Sequence, residues 1–208
     1  MYCQDKAIKP VSEISLLMSN TELVEGIRRG SAVAAKLFHL RYSARISRWV
    51  WRLLGADGEH DDVVQQVFLN IWGGAHKIQH PETLESWIDS VTIKTVRYEL
   101  RKRTVRRAIF RNRNEASVDT DTLEDERHPF KQSHIRHFYK ILDSMPADDR
   151  IIFFLRYVEE YTVDQIAKLG NYSRSTAKRR LSIAVDRFNR EALTDFALIS
   201  LMEGRHAT

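Results

Sequence analysis

With 208 residues, 43% hydrophobic and 29% charged, the chain can hold one medium domain or two small helical ones and is too apolar for wholesale disorder. Its 4 prolines and 8 glycines are too few for an all-β fold of tight turns, and Cys3 alone can form neither an internal disulfide nor a cysteine-based zinc site. No apolar run nears the roughly 18–20 residues of a membrane span, and the opening MYCQDKAIKP lacks the apolar core of a signal peptide, so a reducing cytoplasm is expected.

The formal charge of +5 is unevenly spread, and helical periodicity dominates. Residues 1–20 read as an N-terminal extension. Leu37, Phe38, Tyr42, Ile46, Trp49, Val50 and Leu53 then recur at spacings of three and four, the buried face of a long helix that ends at Leu54-Gly55-Ala56-Asp57-Gly58. The next helix carries Val63, Val64, Val67, Phe68 and Ile71 on one side and places Asp61 and Asp62 at its positive N-terminal end. Gly73-Gly74 ends it. A loop from His76 to Glu82 leads into a third helix with Leu84, Trp87, Ile88, Val91 and Val96 inward. That helix becomes strongly basic: Lys94, Arg97, Arg101, Lys102, Arg103, Arg106, Arg107, Arg111 and Arg113 stand with Glu99 as the only acid. Residues 21–111 are therefore expected to form one compact helical domain.

The sign then reverses at Glu115, Asp119, Asp121, Glu124, Asp125 and Glu126, and residues 112–132, without apolar periodicity, read as a flexible acidic linker. Ile135, Phe138, Ile141, Leu142 and Met145 resume the helical pattern, Pro146 interrupts it, and Ile151 to Val158 is nearly continuous apolar core. A second helical domain is expected over 133–192. The tail, 193–208, carries a stripe of Leu193, Phe196, Ala197, Leu198, Leu201 and Met202 that either packs on its own domain or docks a regulatory partner. The fold class is thus all-α, two small domains joined by a linker. Two basic clusters separated by an acidic segment suggest two polyanion-binding modules.

The sharpest local signal lies between Tyr161 and Phe188. Thr162 and Gln165 form a capping box ahead of a short helix burying Ile166, Ala167 and Leu169. Gly170-Asn171 tolerates the left-handed backbone of a sharp exit, and Ser173 is a good N-cap for the next helix. That helix buries Ala177, Leu181, Ala184, Val185 and Phe188, which turns Ser175, Lys178, Arg179 and Ser182 outward. These are the parts of a helix-turn-helix, whose Arg and Lys can reach guanine edges. An ordinary helical hairpin with a basic surface has the same outline.

From about Glu22 to Arg190 the chain resembles the extracytoplasmic-function (ECF) sigma factors of bacterial RNA polymerase. Met145-Pro146, Arg150, Leu155-Arg156-Tyr157, Tyr161-Thr162, Gln165-Ile166-Ala167 and Thr176 to Leu181 are similar to region four. Asp61 to Phe68 resembles the acidic, glutamine-bearing helix of region two; Trp87-Ile88, Val91, Arg97 and Leu100 to Arg107 resemble the helix that follows it. The resemblance implies that Asp62, Gln65 and Gln66 grip the clamp helices of the largest polymerase subunit. It implies minus-10 contacts from Lys77, Gln79 and His80 in the loop, which lines a pocket for a flipped base, and from Lys94, Arg97, Tyr98, Arg101, Lys102 and Arg106. Minus-35 contacts fall to Arg174, Ser175, Thr176, Lys178, Arg179 and Ser182. Lys94 stands where the family often has Asn, and Asn171 occupies the usual glycine position of the turn. Core polymerase and promoter DNA are the implied partners, with an anti-sigma factor a further candidate, and neither cofactor nor metal is called for.

Two other readings compete. A stand-alone helix-turn-helix regulator with a helical sensor domain would explain the C-terminal half but not the acidic helix beside a second basic one. An enzyme is suggested only by His39 and the His60-Asp61 doublet, with no phosphate-binding glycine loop or nucleophile motif in support.

Overall fold

The computed structural model describes residues 18–55, 59–113 and 138–193, and every regular element among them is helical. In chain order these are α1 (Asn20–Arg28), α2 (Ala32–Leu54), α3 (His60–Gly74), two 3-10 turns (Ala75–Lys77 and Pro81–Thr83), α4 (Leu84–Arg113), α5 (Ala147–Tyr157), α6 (Val163–Gly170) and α7 (Arg174–Leu193). Residues 138–144 add a helical stretch ahead of α5. Most of the acidic linker, with all six of its named acids, the tail stripe beyond Leu193 and residues 1–17 lie outside the described residues.

The chain divides into two compact units, one of residues 1–52 and 58–95, the other of residues 53–57 and 96–208. The division between these units falls inside α4, after Thr95. The helix also continues through residues 112 and 113, which the loss of apolar periodicity assigned to the linker. Arginine is a good helix former, so local propensity can carry a helix past the end of its apolar pattern.

In the first unit α2 buries the residues its periodicity names: Leu37, Phe38, Tyr42, Ile46, Trp49 and Val50 are all buried. Leu23 and Val24 of α1, Val63, Val67, Phe68 and Ile71 of α3, and Leu84, Ile88 and Ile93 of α4 complete this core. Burying side chains of this size stabilises by about 1.5–3 kcal/mol each before the entropy of ordering is charged. Arg45 of α2 reaches the buried Asp89 of α4 at 2.8 Å and Glu85 at 3.6 Å. Ser19 and Glu22 form a capping box at the start of α1, with Glu22 N–H donating to Ser19 Oγ at 3.2 Å and Ser19 N–H to Glu22 Oε2 at 2.8 Å. These Ser19 bonds hold the Glu22 carboxyl below its usual range. This S-x-x-E signal is legible in the sequence, although residues 19 and 20 are placed in the N-terminal extension by sequence and no helix is read here.

The second unit is organised around α5, where Ile151 to Leu155 are all buried. Phe153 stacks on Phe188 of α7 at 4.6 Å between ring centroids, and Leu142, Met145 and Ala184 close the cluster. Arg150, 3% exposed, is ion-paired with Asp143. Asp149 lies 3.5 Å from Arg187, yet burial pushes its carboxyl up.

Candidate nucleic-acid interface

On α3, Asp61 and Asp62 sit in the first turn, where the helix dipole favours negative charge. Asp62, Gln65 and Gln66 are exposed on the face opposite Val63, Val67 and Ile71. Gln66 Nε2 donates to Asn70 Oδ1 at 3.0 Å, and Asn70 Nδ2 donates to Thr95 Oγ1 of α4 at 2.9 Å, so this face is tied to the next helix. Two apolar residues continue the same stripe and escaped the sequence reading: Leu69 is 52% exposed and Trp72 37%. Their signal was the i+3/i+4 spacing from Gln65. The His60 of the enzyme reading does meet Asp61, and is tied as well to the backbone of α2. Its ring nitrogens lie 2.9 Å from Asp61 Oδ1 and 3.1 Å from Ser47 O, while His39 stacks on Phe68.

Beyond α3 the loop is pinned from inside and open outside. Ala75 and Ile78 are buried, whereas His76, Lys77, Gln79 and His80 are exposed. Thr83 closes the second turn, its backbone N–H and hydroxyl both donating to His80 O at 2.9 and 2.7 Å. His80 Nδ1 lies 3.2 Å from Glu82. Trp87, half-buried, lies against the last turn of α3, where a Cβ on Gly74 would sit 3.0 Å from its ring. It therefore packs instead of offering a free stacking face, in keeping with its inward assignment.

The basic stretch of α4 is sorted by its surroundings. Lys94 is exposed and Tyr98 70% so. Lys102 lies 3.3 Å and Arg106 4.0 Å from the buried Glu99. Arg97 and Arg101 converge on Asp148, at the start of α5: Arg97 Nε is 2.9 Å from Oδ1 and Arg101 Nη2 2.9 Å from Oδ2. Arg180 of α7 approaches Asp148 at 3.6 Å, and the Tyr172 hydroxyl lies within 3.4 Å of it. The Tyr172 ring faces both the Arg97 and the Arg180 guanidinium, at 5.9 and 5.0 Å. Burial opposes the charge on Asp148; the hydrogen bond from Arg101 and the charges of Arg97, Arg101 and Arg180 outweigh it and lower its pKa. The Arg97 side chain is only 16% exposed, so it stands in this cluster and not on an open surface. Asp148 was missed because nothing local in the sequence marks it.

The turn between α6 and α7 has the expected chemistry in detail. Thr162 accepts from Gln165 N–H at 3.3 Å, and Gln165 Oε1 accepts from Thr162 N–H at 2.8 Å. Asn171 takes the left-handed conformation (φ 54°, ψ 46°), Tyr172 N–H donates to Ala167 O and Asn171 N–H to Lys168 O, a Schellman ending. Ser173 Oγ accepts from Thr176 N–H at 3.1 Å and also engages the Thr176 hydroxyl, drawing that side chain inward. Arg174 pairs with Asp164 at 3.0 Å, while Ser175, Lys178, Arg179 and Ser182 are exposed together. Of the run Lys178-Arg179-Arg180, two cations face out and the third turns in to Asp148 and Tyr172.

Residues 38–106 match the family model of sigma-70 region 2, and residues 135–187 that of sigma-70, region 4. The ECF RNA polymerase sigma factor SigX of Bacillus subtilis (strain 168) is 22% identical over 152 residues, 69% of this chain and 75% of its own. The ECF RNA polymerase sigma-E factor of Escherichia coli (strain K12) is 20% identical over 179 residues, 79% and 89% of the two chains. The chain belongs to the ECF sigma factors. It therefore directs core RNA polymerase to promoters and opens them for initiation. Two solved structures share the sigma factor's fold. CnrH, solved with the cytosolic domain of CnrY, has a TM-score of 0.55 at 15% identity over 89% of this chain and 99% of that one. The sigma factor RpoE of Bartonella quintana, solved with the anti-sigma factor NepR, has a TM-score of 0.56 at 18% identity over 77% and 97%. Among the described residues no helix of the sigma factor is long and apolar enough to cross a membrane.

Proposed function

We propose that this sigma factor reads its promoter at two places and grips polymerase at a third, doing no chemistry of its own and working in the cytoplasm beside the polymerase. The observation that carries the reading is the outward set on α7: Ser175, Lys178, Arg179 and Ser182 share one exposed face behind a fully capped turn. A rigid helix presenting two cations and two hydroxyls fits the major groove of the minus-35 element, where Arg and Lys find guanine O6 and N7. Lys94, Tyr98, Arg101, Lys102 and Arg106 hold the non-template strand of the minus-10 element, with Arg97 joining once Asp148 releases it. A flipped base meets Lys77, Gln79 and His80, and its capture offsets the few kcal/mol that unstacking costs.

Asp62, Gln65 and Gln66 take the clamp helices of the largest polymerase subunit, with Leu69 and Trp72 supplying apolar anchors beside them. An anti-sigma factor is a further partner of the resting protein, in keeping with the complex solved for the Bartonella relative. The test is transcription in vitro with purified core polymerase. Asp62 is exposed in a first turn, so Asp62→Arg inverts a surface charge without touching the core. Core binding is expected to fall on the order of tenfold, with helical content unchanged. A variant that binds core as tightly as the parent would remove this face from the mechanism.

A further inference from the structure

We infer that Arg28, the last residue of α1, is a positioning residue for the base-reading loop. Its Nη2 donates to the carbonyl oxygen of Ile78 and its Nε to that of Ala75, at 3.4 Å in the latter case. Ala75 and Ile78 are the loop's two buried residues, and α1 packs against both 3-10 turns that frame it. The Ile78 carbonyl belongs to the peptide unit that contains the Gln79 N–H. A peptide unit is planar, so fixing the direction of that carbonyl fixes the entry of the chain into Gln79 and His80.

Ile78 and His80 are both extended (ψ 102° and 101°), and no regular ladder holds the chain between the two turns. The guanidinium fork supplies that restraint. It meets two carbonyls with donors held in one rigid plane, whereas the donors of an ammonium rotate on a flexible stem. A cation in the last turn also suits the helix dipole, but Arg29 next door would serve that purpose equally and, among the described residues, pairs with the exposed Glu25 of its own helix, at 3.8 Å.

The inference rests on the loop reading a minus-10 base, and the experiment separates the two. Holoenzymes carrying Arg28→Ala, Arg28→Lys, Arg29→Ala, Gln79→Ala or His80→Ala are assayed on promoters randomised across the minus-10 element. Core affinity, minus-35 dependence and melting temperature are measured alongside. Arg28→Ala is expected to reduce discrimination between the best and worst base at one position by about fivefold or more, within the range of a single base contact. Arg28→Lys should fall between it and the parent, Arg29→Ala should match the parent, and Gln79→Ala or His80→Ala should relax the same position. If the loop variants relax that position and Arg28→Ala leaves it intact, Arg28 does not position the loop, although the loop still reads the base. An even loss of activity for Arg28→Ala on every minus-10 sequence would reduce Arg28 to a support of the fold. If no loop variant alters base preference, the loop reading fails and the inference with it.

Discussion

Replacing Arg179 by alanine is expected to cost about 1–3 kcal/mol of minus-35 binding, roughly 5- to 150-fold, and to relax base preference at one position. Arg179 is exposed on α7 in the set with Ser175, Lys178 and Ser182, and no core packing is lost with it. Lys178→Ala should show the other pattern if the ammonium meets a phosphate: an even loss across sequences and a salt slope shallower by about 0.9. Arg180→Ala supplies the contrast within the same run. Its side chain faces Asp148 and the Tyr172 ring, so its removal should lower the melting temperature and leave base preference alone. Binding titrations on promoter variants at several salt concentrations measure all three. Unaltered promoter selection in both Lys178→Ala and Arg179→Ala would leave the helix-turn-helix without its role.

The second large effect is expected at Asp148, and it is a gain. Arg97 and Arg101, two of the cations assigned to the minus-10 strand, are held on this carboxylate at 2.9 Å each. Asp148→Asn keeps the shape and removes the charge, so both guanidiniums become available to phosphate. The free sigma factor should then bind single-stranded DNA more tightly, with a salt slope steeper by about 1.4, at 0.7 for each added phosphate contact. The gain comes with a loss of stability of about 1–3 kcal/mol in the DNA-free protein, where Arg97, its side chain 16% exposed, loses its charge partner. The same carboxylate sets an acid limit. A folded-state pKa below the unfolded one contributes stability that is present above about pH 4 and lost as pH falls through the folded value. Acid unfolding of the parent should therefore include a component that Asp148→Asn lacks. Fluorescence anisotropy on a labelled strand and melting curves across pH measure both effects; equal affinity and equal salt slope for the two proteins would show that Asp148 restrains neither arginine.

The long helices were legible because their information is local. The spacing of Leu37 to Leu53 dictates one buried face, and Thr162, Gln165 and Asn171 specify the start and end of α6 within ten residues of chain. What escaped is non-local. Arg101 meets Asp148 across 47 positions, and Arg28 meets Ile78 across 50. No periodicity marks such a pair: a charged residue at an element's edge reads as solvated until the fold brings its partner alongside. The sequence likewise could not divide the basic run of α4 into residues that face solvent and residues that are engaged, since the split depends on Asp148 and Glu99. Glu160 takes a left-handed backbone (φ 58°) with none of the residue types that announce one.

Positions 170 and 171 are neighbours with opposite reasons for what they hold, and a saturation library would tell them apart. Asn171 answers to its own backbone, and glycine would serve there as well. Gly170 is helical, a conformation every residue but proline adopts readily, yet a Cβ there would overlap the Tyr172 ring. That ring is held by the Arg97 and Arg180 guanidiniums, 5.9 and 5.0 Å from its centroid, and swinging it aside would give up both contacts. Selection for folded protein should thus return glycine alone at 170, and should widen to alanine and serine only in clones that have also exchanged Tyr172 for a smaller residue. The tolerance of one site is written in the identity of another two places along the chain.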